Sequence, residues 1–492
     1  MPAKRSFRDP IALRLRELEY AQTYSEWREI AQELDRLEGA DAWKQDEASE
    51  DYDHLLIRER LTQMRRLRSA GEVRHLVHEL HEGLHGNLGN ITTPALYAFA
   101  RFGTKRLIEE YLTEVVRCLD YLCAGDFADF SADEKIVFFK RTATSFGRSA
   151  MLLSGGATLG MFHLGVIKAL SEQGLLPRVI SGSSAGSIIG GMVGTRDDAQ
   201  LPQLFDPENL NLAAFQRLNL RGALQSGGLM DPTLLQQCLL HNLGEETFTE
   251  AFQRTRRIVG VTVSAAEEHQ QGRLLNYLTA PNVLLRQAVL ASCAVPGVFP
   301  PVQLLARDFQ GEVVPYLPSK RWIDGTVYSD LPMLRLARLH NVNHYIVSQT
   351  NPHVVPFMVD EAKQARGLMP LARQLALGAG RSTMRLARTH LQGSPVRRVA
   401  DQLNAVMAQR YSGDINILPR HSPRQLLRMF SNLNARELAQ FIREGERATW
   451  PRIERIRNQT AISRAFESCL LTLKLARTDR LTPRSRVRRV AR

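Results

Sequence analysis

A serine between two glycines, G-x-S-x-G, occurs at Gly182-Ser183-Ser184-Ala185-Gly186, directly after the apolar pair Val179 and Ile180 and before a helical pattern. This is the pattern of a nucleophile carried on a sharp strand-to-helix bend. Gly182 and Gly186 suit such a bend, because side chains two residues either side of the nucleophile would collide with the neighbouring strand and helix. Ser184 would point its hydroxyl out of the bend. The N–H groups and positive dipole end of the following helix favour negative charge developing beside it.

A second glycine turn precedes the first. Met151 to Leu153 leads into Ser154-Gly155-Gly156-Ala157-Thr158-Leu159-Gly160, and the glycine pair lets backbone N–H groups converge unhindered. Gly155, Gly156 and Ala157 are therefore candidate oxyanion donors, each such donor being worth on the order of a hundredfold in rate. Nucleotide readings fail on residue types: a dinucleotide fingerprint needs glycine where Thr158 stands, and a phosphate loop needs Gly-Lys-Ser/Thr.

A serine needs a base. The usual partner is histidine, yet none of the histidines after Ser184 (241, 269, 340, 344, 353, 390 and 421) stands in a glycine-flanked turn at a strand end. An acid does: Asp324, in RWIDGTVYSDLP, follows the short apolar run Trp322-Ile323 and precedes Gly325. An Asx cap would use the same tetrad. The catalytic reading is that Asp324 takes the serine proton directly, a two-residue site for acyl transfer.

These turns need strands and helices to hold them. Strand, turn, helix occurs twice between 150 and 195, and further strands are expected over Arg257 to Ala265, Leu274 to Leu278 and Asn343 to Ser348, with a helix over Val283 to Ser292. That is an α/β catalytic domain, placed at 148–350. Before it, residues 10–145 read as a helical domain, with Ile11, Leu15, Leu18, Tyr24, Trp27, Ile30, Leu34 and Leu37 forming one buried stripe and Leu55, Leu56, Leu61, Met64 and Leu67 another. After it, 351–475 reads as a helical extension, polar from 421 onward, and 476–492 as a disordered tail with seven arginines against one aspartate from Arg477 on.

Composition narrows the function classes. The 492 residues carry a net charge of +13, which favours an acidic partner. No zinc-finger, RNA-recognition or basic-zipper pattern supports nucleic acid. Ala362 to Ala400 has no acidic residue, and Arg381, Arg385 and Arg388 stand among eight basic side chains interleaved with leucine and methionine. Such a segment suits an anionic membrane or lipid-droplet surface, against the alternative of a solvated helix face. The five cysteines form no C-x-x-C pair and fit a reducing compartment. The histidines at 75, 78, 81 and 85 lack a cysteine or carboxylate cluster, so neither a metal nor another cofactor is expected. The charged N-terminus has no signal-peptide core, and the uncharged windows 179–195 and 287–306 are interrupted by the serine turn and by Pro296, Pro300 and Pro301. The chain is read as cytoplasmic and peripherally membrane-associated.

GGATLGMFHLGVIKAL, GSSAG and IDGT together resemble the patatin-like phospholipases, and SCAVPGVFPPV at 292–302 is similar to the segment before that family's catalytic aspartate. The resemblance implies a three-layer α/β/α fold with a mostly parallel sheet, Ser184 as nucleophile, Asp324 as base and Gly155, Gly156 and Ala157 as oxyanion donors. WREIAQELDRLEGADAW, LGNITTPALY and GTKRLIEEYLTEV resemble the helical domain of the triacylglycerol-lipase branch. The loop opens Ser-Gly-Gly where many members have three glycines, and the acid turn is Asp-Gly-Thr where many have Asp-Gly-Gly or Asp-Gly-Ala. The H-x-x-x-x-D acyltransferase motif is missing. The expected activity is hydrolysis of acylglycerols or phospholipids through an acyl-serine. The contrasting class is a lipid-binding scaffold with a silent hydrolase domain.

Overall fold

A computed structural model of the chain describes residues 10–219, 221, 228–267, 272–326, 330–352, 354, 355, 358 and 411–481. The basic segment 362–400 and the tail beyond 481 lie outside these residues. The chain divides into two units, Met1–Arg148 with Glu454–Arg492, and Ser149–Ile453.

The first unit is helical. Its apolar positions recur at spacings of three and four, and helices such as His54–Ala70, Val73–Gly83, Arg106–Ala124 and Ala132–Phe146 turn those faces into a shared core. Ile57, Leu61, Leu76, Ile108, Leu119 and Phe139 are at its centre. The first stripe read from the sequence is two helices, Pro10–Tyr20 and Tyr24–Leu37, because Thr23 caps the second by accepting the Glu26 N–H. The helical phase restarts there: Tyr24, Trp27, Ile30 and Leu34 are buried, whereas Leu15 and Leu37 are exposed and the first helix buries nothing. The C-terminal helix Ile453–Leu481 contributes Ile462, Phe466 and Cys469 to this same core. Of the single extension read over 351–475, the described residues 411–453 belong to the second unit and those from Glu454 to the first, and helix Ala435–Thr449 is amphipathic rather than polar.

The second unit is built on a sheet. Among the described residues its strands are β1 Arg148–Leu153, β2 Val179–Gly182, β3 Ile258–Ala265, β4 Arg273–Leu275, β7 Trp322–Asp324, β8 Val342–Ser348 and β9 Ile415–Ile417. Their order is β4-β3-β2-β1-β8-β9, with β7 also on β3, and a hairpin of β5 Leu305–Arg307 and β6 Val313–Pro315 stands apart. The pairs β1–β2, β2–β3 and β8–β9 are parallel, while β4 and β7 run antiparallel to β3. All eight residues of β3, IVGVTVSA, are buried, as a central strand covered on both faces requires.

The register fixes where the two reactive turns meet. Gly182 at the end of β2 is level with Val261 of β3, so β2 leaves that edge there. Val263 pairs with Arg273 of β4 and with Asp324 of β7. A strand residue has two flanks only, so β7 takes over the edge that β2 has vacated, with Asp324 foremost.

Behind the β1 loop, helix Phe162–Glu172 crosses helix Ala435–Thr449 at two glycines. A Cβ on Gly165 would lie 1.8 Å from the Ile442 carbonyl oxygen, and one on Gly445 would lie 2.3 Å from that of Phe162. Backbone cannot yield as a side-chain tip can, so Gly165→Ala is expected to cost about 1–3 kcal/mol or more in urea unfolding, in the manner of an overpacked core. Gly190→Ala is the control: its Cβ would meet nothing nearer than 3.6 Å, so stability holds or rises by up to about 1 kcal/mol from helix propensity.

Candidate active site

Ser184 sits at the junction of β2 and helix Ala185–Gly194 with φ 50 and ψ −124, a conformation that non-glycine residues rarely adopt. The neighbours explain how it is held. A Cβ on Gly182 would lie 2.2 Å from the Gly186 carbonyl oxygen, and one on Gly186 would lie 2.2 Å from that of Leu153. The turn is thus clamped between its own helix and the end of β1. Ser184 N–H donates to Ser292 Oγ at 2.9 Å, and the adjacent Ser183 hydroxyl contacts Thr262 and donates to the Asp330 carbonyl at 2.8 Å.

Asp324 is 1% exposed. Its N–H donates to the Ala294 carbonyl at 3.0 Å and its Oδ1 accepts the Thr326 N–H at 2.8 Å. Oδ2 has no hydrogen-bond partner among the described residues. Burial raises its pKa from 3.8 to about 7, against the opposing pull of Thr326 and the Ser184 hydroxyl, with the nearby Asp330 adding to the rise. The Ser184 hydroxyl is thus near enough to the carboxylate to oppose that rise. Cys293 lies close to both Ser184 and Asp324, its thiol pushed well above the usual range by burial.

The glycine loop reaches the same place. A Cβ on Gly155 would be 3.4 Å from the Ser184 Cβ and 2.8 Å from Thr326 Cγ2. The three candidate oxyanion donors are not equivalent, however. Gly155 N–H already donates to Asp330 Oδ1 at 3.1 Å, which commits it and removes it from the free donors. Gly156 and Ala157 show no acceptor for their N–H groups among the described residues, and neither does Ala185, which follows the serine.

Side chains absent from the sequence reading hold this loop. Asp330 is buried and accepts from Gly155 on one oxygen and from Asn351 Nδ2, at 2.6 Å, on the other; burial raises its pKa to about 6. His163, fully buried, donates from Nε2 to the Ser154 carbonyl at 3.0 Å and accepts the Ser348 hydroxyl on Nδ1 at 2.7 Å. Burial lowers its pKa to about 4, so it stays neutral. Asp330 is six residues past Asp324 and His163 six past Ala157, so proximity in sequence to the motifs was the available signal.

A cavity of about 790 Å³, counting its open mouth, adjoins Ser184. Ala157, Met161, Ile188, Met192, Leu212, Phe215, Leu235, Phe299, Phe430 and Leu433 line it, and among the described residues no histidine does.

Residues 151–337 match the model of the family described as patatin-like phospholipase, and residues 6–144 match a domain of unknown function, DUF3336. The chain is 35% identical over 459 residues to triacylglycerol lipase ptl3 of Schizosaccharomyces pombe, covering 91% of this chain and 94% of that protein. The chain belongs to the patatin-like phospholipase family.

Other members extend further than this chain does. It is 36% identical to triacylglycerol lipase SDP1L of Arabidopsis thaliana and 33% identical to triacylglycerol lipase 4 of Saccharomyces cerevisiae, with 92% and 93% of this chain aligned. It spans only 58% and 52% of their lengths. Among solved structures, VipD from Legionella pneumophila aligns with 61% of the chain at 14% identity with a TM-score of 0.28.

In this patatin-like site the buried acid weakens the fold. With Asp324 at about 7 when folded and near 3.8 when unfolded, the folded state binds more protons between those values, so stability falls as pH rises from about 4 to 7 and stays low above. Asp324→Asn keeps an acceptor for Thr326 and removes the charge. At pH 8 it is expected to melt higher than wild type, by stability on the order of a few kcal/mol, with the gap closing at pH 4.

Proposed function

We propose that this chain is a serine lipid-ester hydrolase that cleaves acylglycerols or phospholipids through an acyl-Ser184 intermediate, with Asp324 as its base. The observation that carries the reading is a serine on a strained bend, beside a buried carboxylate, opening onto an apolar cavity. Such a cavity takes a hydrocarbon chain, since each buried methylene gains about 0.8 kcal/mol.

In the proposed reaction Ser184 Oγ attacks the ester carbonyl carbon as its proton passes to Asp324 Oδ2. The carbonyl oxygen becomes an oxyanion, for which the uncommitted N–H groups of Gly156, Ala157 and Ala185 are the donors. Protonated Asp324 then gives its proton to the departing alcohol. Water attacks the acyl-enzyme with Asp324 again as base, releasing the fatty acid and restoring the serine. The raised pKa of Asp324 suits this cycle, because a base works best when its pKa lies near the working pH.

Ser184→Ala and Asp324→Asn are each expected to lower kcat on an emulsified triacylglycerol or phospholipid by about a thousandfold or more, with circular dichroism unchanged. A fluorophosphonate probe should label wild type and fail on Ser184→Ala. Retained turnover in the serine variant refutes the proposal, and unlabelled wild type would favour a silent lipid-binding scaffold.

We also propose that basic residues bring the enzyme to anionic lipid from the cytoplasmic side. No described helix is long and apolar enough to cross a membrane. Each basic side chain near an anionic bilayer gains roughly 1 kcal/mol. Reversing the charges of Arg381, Arg385 and Arg388 together is expected to weaken sedimentation with phosphatidylserine liposomes in low salt; unchanged binding would leave that segment a solvated face.

A further inference from the structure

One wall of the cavity beside Ser184 is made of neither helix nor strand. Leu210, Asn211, Leu212, Ala214 and Phe215 line it, and residues 211–216 have no regular structure. The backbone groups of such a segment need partners. Asparagine side chains supply them. At one end the buried Asn242 accepts the Asn211 N–H on Oδ1 at 3.1 Å and donates from Nδ2 to the Asn211 carbonyl at 2.9 Å. Asn211 itself takes the Ala213 N–H on Oδ1 at 2.9 Å. At the other end Asn432 Oδ1 accepts two N–H groups, those of Ala214 at 2.9 Å and Phe215 at 2.8 Å, while its Nδ2 donates to the Phe215 carbonyl at 2.9 Å. Two donors at the oxygen and an acceptor at the nitrogen leave the amide one orientation.

The strap that carries Asn432 also touches the glycine loop. Thr158 N–H donates to the Met429 carbonyl at 3.0 Å and the Thr158 hydroxyl to that of Ser431 at 2.9 Å. Between these bonds Phe430 meets Phe215 edge to face, with ring centroids 6.0 Å apart, and Phe215 lies against Phe299 at 6.3 Å. Helix Ala435–Thr449, fixed by the Gly165–Gly445 crossing, anchors the strap from its C-terminal side. Residues 429–432 therefore hold the turn next to Gly156 and Ala157 with one set of bonds and the cavity wall with another. Asn432 is exposed and does not line the cavity, so its role is exerted through Ala214 and Phe215.

We infer that Asn432 is a positioning residue that sets the acyl-chain wall and so the preference for long-chain esters. The inference rests on the reading of the cavity as an acyl site given above. A long chain gains from burial along Leu212 and Phe215 only while that wall stands in place, whereas a butyryl group extends too little from Ser184 to use much of it.

The test compares p-nitrophenyl palmitate with p-nitrophenyl butyrate on the full chain. For Asn432→Ala, kcat/KM on palmitate should fall about tenfold further than on butyrate, chiefly through KM, the size expected when a hydrogen-bonded clamp is lost. Asn432→Asp keeps the acceptor for both N–H groups but exchanges the bond to the Phe215 carbonyl for a carboxylate oxygen facing it, so it should recover only part of the ratio. A palmitate-to-butyrate ratio equal to wild type in both variants, or an equal loss on both esters, overturns the inference. If Asn432→Ala does not fold, the aspartate variant must still show a smaller shift in the same direction. Butyrate turnover that survives Ser184→Ala would instead overturn the hydrolase reading, whatever the Asn432 ratio.

Discussion

Everything in the second unit is arranged around a contact that permits no side chain. The Ser183-Ser184 turn is pressed between the end of β1 and its own helix, with Gly186 against the Leu153 carbonyl and Gly182 against the Gly186 carbonyl. Ser184 carries the strain of that fit in its positive φ. A strained residue persists only where its surroundings over-determine it. Here they do so through the parallel register of β1, β2 and β3, through Ser292 on the serine N–H and through the Ser183 hydroxyl on the Asp330 carbonyl.

Two buried carboxylates share this region, and the same physics gives them different work. Desolvation raises both. Asp330 spends its oxygens on Gly155 and Asn351, so its acceptors are satisfied and its charge is tied to the shape of the glycine loop. Among the described residues Asp324 accepts a hydrogen bond on Oδ1 alone, and Oδ2 remains an unmatched acceptor in a dry setting. An unsatisfied acceptor costs stability, typically about 1–3 kcal/mol, and it is also what a base must keep available. His163, the ring nearest the motifs, has both nitrogens occupied by Ser154 and Ser348 and serves the loop as a neutral spacer.

The C-terminal part of the chain turns out to serve two cores. Residues 411–453 complete the sheet with β9 and close the cavity with Phe430 and Leu433, while Ile453–Leu481 fills the helical unit with Ile462 and Phe466. The close crossing of Gly165 and Gly445 holds helix Ala435–Thr449 within the second unit, since only paired glycines let two helix backbones approach so nearly.

Much of the site was legible because its chemistry is local. Serine and glycine spacing at 182–186 announced a strained turn, an acid followed by glycine at 324 announced a strand end, and the apolar runs announced β1, β2, β3 and β8, all of which depend on residues within a few positions of one another. Periodicity found the helices but misjudged their ends, as at Thr23, where a cap resets the phase that a stripe count carries through. What no local pattern could report is who shares a hydrogen bond. That Gly155 is committed to Asp330, that β7 follows β2 along the edge of β3, and that Asn432 holds a wall some 217 residues away are pairings between distant segments. The sequence alone determined which groups could react and which backbone shapes they need. Tertiary structure decided which N–H groups remain free and how dry the carboxylate is, because both depend on neighbours that only folding supplies.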